Sequence, residues 1–229
     1  MRNLHRYLLS TTATLLLFTG AAIADSDVSD KTILDQRAML AKSTDGAGFG
    51  PQSPRDIDSI VGNNRRIFEV APVYTAMNLC NIHFHENAEH KGGEFTKYAG
   101  NGDGHGYGTG YAYSGKLTAA ELAPLDMAIG KTDHGDLVPG DTIEVHYVYS
   151  SAQVRPGPTL GSCLSEAIMN PQLRVETQVY VLVNDTGALN FIDLTKIAEV
   201  DGLNQASNIP SNTGVPVQYT GSTTGPGYN

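Results

Sequence analysis

In two short stretches of this chain the chemically distinctive residues fall on every second position, and that spacing calls for a β-sheet. Asn81-Ile-His-Phe-His85 places His83 and His85 one residue apart, and Thr142-Ile-Glu-Val-His146-Tyr-Val-Tyr-Ser150 carries a third imidazole. Residues i and i+2 leave a strand from one face, so His83 and His85 can reach one ion together, with His146 completing the set from a neighbouring strand. Three imidazoles and an open fourth position describe a catalytic zinc site, not a closed structural one. Asn81 lies two before His83 and Glu144 two before His146. Ligating histidines usually donate their other ring N–H to an amide, carboxylate or carbonyl, so the repeated spacing strengthens the metal reading. Zinc is favoured because nothing suggests a redox cofactor, while an iron site of two histidines and either Glu86 or Glu89 stays open.

Residues 1–24 read as an export signal. Arg2 and Arg6 precede an apolar run ending in Ala22-Ile-Ala24, a small-x-small cleavage pattern. Ser10, Thr11, Thr12 and Thr14 interrupt the run, leaving it short of a good spanning helix. Cleavage after Ala24 leaves residues 25–229 as a single domain, with no later stretch apolar and long enough to span a bilayer. The chain carries a net charge of −9, and loss of the two signal arginines takes it to −11. That excess argues against nucleic acid, whose binding depends on neutralising phosphates with Lys and Arg.

Two cysteines remain in an exported chain, where disulfides persist. In a regular strand Cys80 has the wrong parity to join His83 and His85, so a Cys80–Cys163 disulfide is favoured over a thiolate ligand, with two buried free thiols as the alternative. Strands are expected at 66–72, 78–85, 141–150 and 173–184, and a weaker one at 189–194. Helices are expected around 32–41 and, more convincingly, 117–127. Seven of the sixteen residues from Gly100 to Gly115 are glycine; this segment reads as a flexible surface insertion, since it lacks the lysine of a phosphate-binding loop. Residues 200–229 read as irregular.

With these residues in view, the chain resembles the carbonic anhydrases. A strand with His-x-His followed by Glu89-His90 is similar to the family's signature, and Glu144-Val-His146 to the strand that brings the third ligand. Gln52-Ser-Pro-Arg-Asp-Ile57 and Gly221-Ser-Thr-Thr-Gly-Pro226 resemble two further elements, in the same order. The details around Cys80, Glu89–Phe95 and Gly221–Tyr228 are most similar to the delta class and its bacterial relatives. The resemblance implies reversible hydration of CO2 to bicarbonate and a proton by zinc-bound hydroxide, with Zn²⁺ on His83, His85 and His146. It implies that the Thr223 hydroxyl donates to the Glu89 carboxylate, so that its oxygen accepts from the hydroxide and orients it. Val148, on the ligand face, would line an apolar CO2 pocket. His105 and His134 are the free proton-shuttle candidates, and His90 is assigned a structural role. The expected fold is mainly β: a twisted, mostly antiparallel central sheet with few short helices, carrying the metal on its central strands. The substrate is a small molecule, and the protein is periplasmic or secreted.

The chain departs from that pattern in three ways. About 60 residues separate His85 from His146, and the glycine-rich segment fills much of the gap. Tryptophan is absent, and the chain stops soon after Gly221–Pro226 where relatives continue, which reads as a shortened C-terminus. Two alternatives remain. His83-x-His85-x3-Glu89 also fits the first metal motif of a cupin, with Val138-Pro-Gly140 less well matched to the second. The other is a non-catalytic periplasmic zinc-binding protein.

Overall fold

A computed structural model describes residues 27–44, 69–132, 135–218 and 220. Among the described residues, nine strands and two α-helices make up most of the regular structure: α1 (Asp30–Thr44), β1 (Asn78–Glu86), β2 (Lys97–Asn101), β3 (Thr109–Ala112), β4 (Ile129–Thr132), β5 (Gly135–Leu137), β6 (Thr142–Ser150), β7 (Leu173–Val181), α2 (Phe191–Leu194), β8 (Ile197–Val200) and β9 (Leu203–Ala206). The protein is mainly β, with antiparallel sheets and few short helices. A three-stranded sheet in the order β1-β6-β7 forms the centre, and three two-stranded hairpins surround it.

Register gives the central sheet two chemically distinct faces. His83 pairs with His146, His85 with Glu144 and Asn81 with Val148 across β1 and β6, and β7 continues this face with Val175, Thr177 and Val179. The alternate residues form the core. Val145, Tyr147 and Tyr149 are fully buried with Met77 and Leu79, and Ile82, Tyr180 and Phe191 pack against them. Each large side chain withdrawn from water in this way contributes roughly 1.5–3 kcal/mol. The β8–β9 hairpin closes the far side of that core. Asp201 and Gly202 both have positive φ, at 51° and 79°, which suits a two-residue turn matched to strand twist. Ala206 then joins the core, and the Gln205 amide donates to the Met77 carbonyl at 2.8 Å.

Cys80 and Cys163 form the expected disulfide, linking residues 83 apart. Closing so long a loop contributes about 4–5 kcal/mol in the chain-entropy description. Cys80 differs from the expected plain alternation in one respect: the β1–β6 register shifts between Leu79 and Asn81, which places it at an irregularity. It packs with Val148 and Cys163, flanked by Val154 and Leu173.

The helix expected at 32–41 is present and longer. The one expected at 117–127 is absent. Thr118 and Glu121 do form the reciprocal cap that opens a helix, with Thr118 N donating to the Glu121 carboxylate and Glu121 N to the Thr118 hydroxyl. Only turns follow, because Pro124 cannot donate to the next turn. The weak strand at 189–194 is instead the short helix α2, capped by the Asn190 side chain on Ile192 N. Residues 203–206 of the segment read as irregular are strand β9, and 69–72 are not strand.

The glycine-rich segment is the β2–β3 hairpin, and the N-terminal segment docks on it. Val28 N donates to the Gly102 carbonyl at 2.9 Å and the Gln36 amide to the Gly104 carbonyl at 2.8 Å. Among the described residues no helix is long and apolar enough to cross a membrane. Residues 1–24, Gln52–Ile57, His134 and Gly221–Pro226, with Thr223, lie outside the described residues.

Candidate metal centre

His83, His85 and His146 converge as the spacing requires. Their strands are adjacent and antiparallel, and His83 stands directly opposite His146. The His146 ring centroid lies 4.9 Å from that of His83 and 5.1 Å from that of His85, each pair edge to face. His146 Nδ1 comes within 3.1 Å of His83 Nε2.

The outer ring nitrogens identify which atoms face inward. His83 Nδ1 lies 2.6 Å from the Asn81 Oδ1, and the Asn81 amide nitrogen donates to the Gly157 carbonyl at 2.9 Å. With its NH2 fixed there, Asn81 presents only an acceptor to His83, so His83 donates from Nδ1 and keeps a lone pair on Nε2. On β6 the Glu144 Oε1 lies 3.0 Å from His146 Nε2, which makes Nε2 the donor and leaves the lone pair on Nδ1. Two lone pairs therefore confront each other at 3.1 Å, an arrangement that requires a cation or a shared proton between them. His85 turns Nδ1 toward the Glu86 carbonyl at 3.4 Å, and its Nε2 is buried without a hydrogen bond, 3.4 Å from the Glu89 carboxylate. A buried imidazole nitrogen without a hydrogen bond beside two opposed lone pairs fits a divalent ion held by nitrogen donors.

The electrostatics differ from ring to ring. Burial, then the neighbouring His146 and His85, holds His83 below its ordinary pKa, so it is neutral and able to ligate at pH 7. The Glu89 carboxylate beside His85 raises the pKa of that ring, and His85 in turn holds Glu89 down to about 2. Glu144 is a buried carboxylate, 3 % exposed. One of its oxygens takes His146 Nε2–H and the other accepts Glu89 N–H at 2.5 Å, so both oxygens have a donor, as a buried acid needs.

That second bond ties in a loop whose position the spacing alone did not reveal. β1 ends where Asn87 adopts a left-handed conformation, φ 65°, which asparagine tolerates better than most residues. Ala88 then bridges to Tyr111 on β3, and Glu89 swings back over His85. Gly110 permits this approach. Its φ is 112°, and a Cβ there would lie 2.5 Å from the Ala88 carbonyl. The glycine-rich segment thus seats the Glu89 loop, a role contrary to its reading as a flexible insertion.

The remaining expected positions are distributed unevenly. Val148 is on the ligand face but 2 % exposed, packed against the disulfide. His90 Nε2 lies 3.9 Å from the other Glu89 oxygen. His105 is exposed at the tip of the β2–β3 hairpin, its N–H donating to the Asp103 carboxylate. Missed from the spacing were the Gly157 carbonyl, which orients Asn81, and the bond from Glu89 N to Glu144. A lone amide two residues before a ligand signals the first contact but cannot name its far partner.

A mainly β protein whose antiparallel central sheet carries a His/Glu cluster, His85, Glu89, Glu144 and His146, that could hold a metal ion is the class that this fold and site define. A sequence model of the delta carbonic anhydrases matches residues 74–229. The chain therefore belongs to the delta carbonic anhydrase family, enzymes of CO2 hydration, and that match displaces the cupin alternative. No curated protein and no solved structure matches the chain.

Proposed function

We propose that this protein hydrates CO2 to bicarbonate and a proton with Zn²⁺ held by His83 Nε2, His85 Nε2 and His146 Nδ1. The observation that carries this reading is the 3.1 Å approach of His83 Nε2 to His146 Nδ1, with a polar partner on the outer nitrogen of each ring. Zinc bound by three neutral imidazoles supplies the Lewis acidity that makes hydroxide available near neutral pH.

The protein's own residues orient and exclude. Asn81 and Glu144 hold the tautomers that point lone pairs inward, and Glu144 adds negative charge behind His146, raising its donor strength. Thr223, by its family motif, donates its hydroxyl hydrogen to Glu89, so its oxygen is left only as an acceptor for the nucleophile. CO2 has no net charge and no hydrogen to donate, so an apolar wall suits it; Val148 is the apolar side chain on the ligand face beside His146, backed by the disulfide. The proton leaves to solvent or buffer. Export by the signal at 1–24 is consistent with the Cys80–Cys163 disulfide.

Zinc content and stopped-flow CO2 hydration test this reading. The purified protein is expected to bind one equivalent of zinc, and His146→Ala is expected to lose both the zinc and the hydration. Hydration that survives complete removal of metal, or that persists in His146→Ala, refutes it.

A further inference from the structure

We propose that β7 is a dimerisation strand: its outer edge pairs antiparallel with β7 of a second copy of this chain, about a two-fold axis at Thr177, joining two three-stranded sheets into one.

The two edges of the β1-β6-β7 sheet are finished differently. On β1 the register shifts between Leu79 and Asn81, and the Cys80 carbonyl accepts Gly157 N–H at 3.0 Å. β7 pairs with β6 without a shift from Leu173 to Val181, and among the described residues no strand lies along its outer side. Unpaired strand edges are templates for another chain, and proteins that stay apart blunt them with bulges, prolines or lysines. The sequence and register of β7 contain none of the three.

Backbone polarity fixes how a second strand fits. In an antiparallel pair, residues exchange bonds at every second position. At the two ends of β7 the Gln172 carbonyl accepts Ser151 N–H, and Leu182 N donates to the Asp141 carbonyl. Even-numbered residues therefore turn their N–H and C=O groups to β6, and Leu173, Val175, Thr177, Val179 and Val181 turn theirs outward. A two-fold axis at Thr177 sets Val175 opposite the partner's Val179 and Leu173 opposite the partner's Val181. Outward groups then meet outward groups along the whole edge.

The side chains are self-complementary in the same register. Val175 is 50 % exposed, and its cross-strand pair with the partner's Val179 withdraws it from water. On the opposite face Arg174 meets the partner's Tyr180 and Glu176 the partner's Gln178, so no like charges oppose each other. Arg174 and Glu176 already pair within the strand, which leaves β7 without net charge in a chain of −9. A second copy is thus accepted along a strip where two acidic chains repel least. Because the strands join edge to edge, both ligand faces stay uncovered on one side of the joined sheet. His146 stands opposite Thr177, so the two copies of His146 lie three strand spacings apart, roughly 14 Å.

Sedimentation equilibrium of the purified protein from about 1 to 100 µM is expected to show a monomer–dimer equilibrium, as suits a small interface. Thr177→Lys sets two ammonium groups across the axis and is expected to raise the dissociation constant at least about tenfold. Both native cysteines are in the disulfide, so a short bismaleimide reads the register through an introduced thiol. It is expected to join Thr177→Cys, whose paired Cα atoms lie about 5.5 Å apart, and to spare Val175→Cys, whose two copies stand roughly 14 Å apart. A protein that stays monomeric across that concentration range overturns the proposal. So does a dimer that Thr177→Lys leaves unchanged, or one in which both cysteine variants are joined equally. Where Thr177→Lys folds poorly, the two cysteine variants decide.

Discussion

The two faces of the β1-β6-β7 sheet are built from the same three strands by different physics. One face buries Val145, Tyr147 and Tyr149 completely and is held by area and close packing. The other carries Asn81, His83, His85, Glu144 and His146, held by individual bonds of 2.6–3.4 Å. Apolar burial is non-directional, so the core face tolerates adjustment of any one contact by its neighbours. Hydrogen bonds weaken steeply with angle, so the ligand face is only as ordered as its partners. Apolar packing is thus concentrated on one side of the sheet, and orientation of the imidazoles on the other, where Val148 against the disulfide is the apolar exception.

The largest separation of the two faces should come from the core. Tyr149→Ala is expected to lower folding stability by roughly 3–5 kcal/mol while the folded fraction binds zinc with wild-type affinity. Urea unfolding alongside a zinc titration checks this, and a matching loss of affinity would mean that the faces are coupled. On the other side, Glu144→Gln is expected to weaken zinc binding by about 10–100-fold, since the amide keeps the shape but loses the charge behind His146. A chelator competition measures that. An unchanged affinity would show that Glu144 only anchors the Glu89 loop.

The smallest effect concerns acidity in the metal-free protein. Glu89, held at about 2 against an ordinary 4.5, stabilises the fold above about pH 4.5, and that contribution is lost as pH falls toward 2. His85, raised above its ordinary 6.5, stabilises below about pH 6.5 and loses its contribution as pH climbs through the raised value. Their joint contribution is therefore greatest between about pH 4.5 and 6.5. Thermal melts of the metal-free protein across pH are expected to show this maximum, flattened in Glu89→Gln. Identical profiles for the two proteins would remove the pair from the account.

The strands carrying the site were legible because alternation is a local property. Residues 78–86 and 142–150 each advertise their own two faces, and the relation of Asn81 to His83 needs no partner from elsewhere. The helix expected at 117–127 failed for a local reason as well: its opening cap is real, but Pro124 prevents propagation. β8 and β9 were missed although the Asp201-Gly202 turn was in plain sight, since polar residues around it obscured the pairing. The β2–β3 hairpin was illegible for a different reason. Its glycines permit many conformations, and only contact with Ala88 and the docked N-terminal segment selects one.

By itself the order of residues determined that three imidazoles would project from two strands, with an amide and a carboxylate on the same faces, because strand geometry repeats every two residues whatever surrounds it. What only the tertiary structure decided was register and reach. Cross-strand bonding set His83 opposite His146 and not one step away, and the turn at Asn87, seated against Gly110, returned Glu89 to His85. Those outcomes depend on contacts between segments far apart in the chain, where local alternation carries no information about which backbone lies alongside.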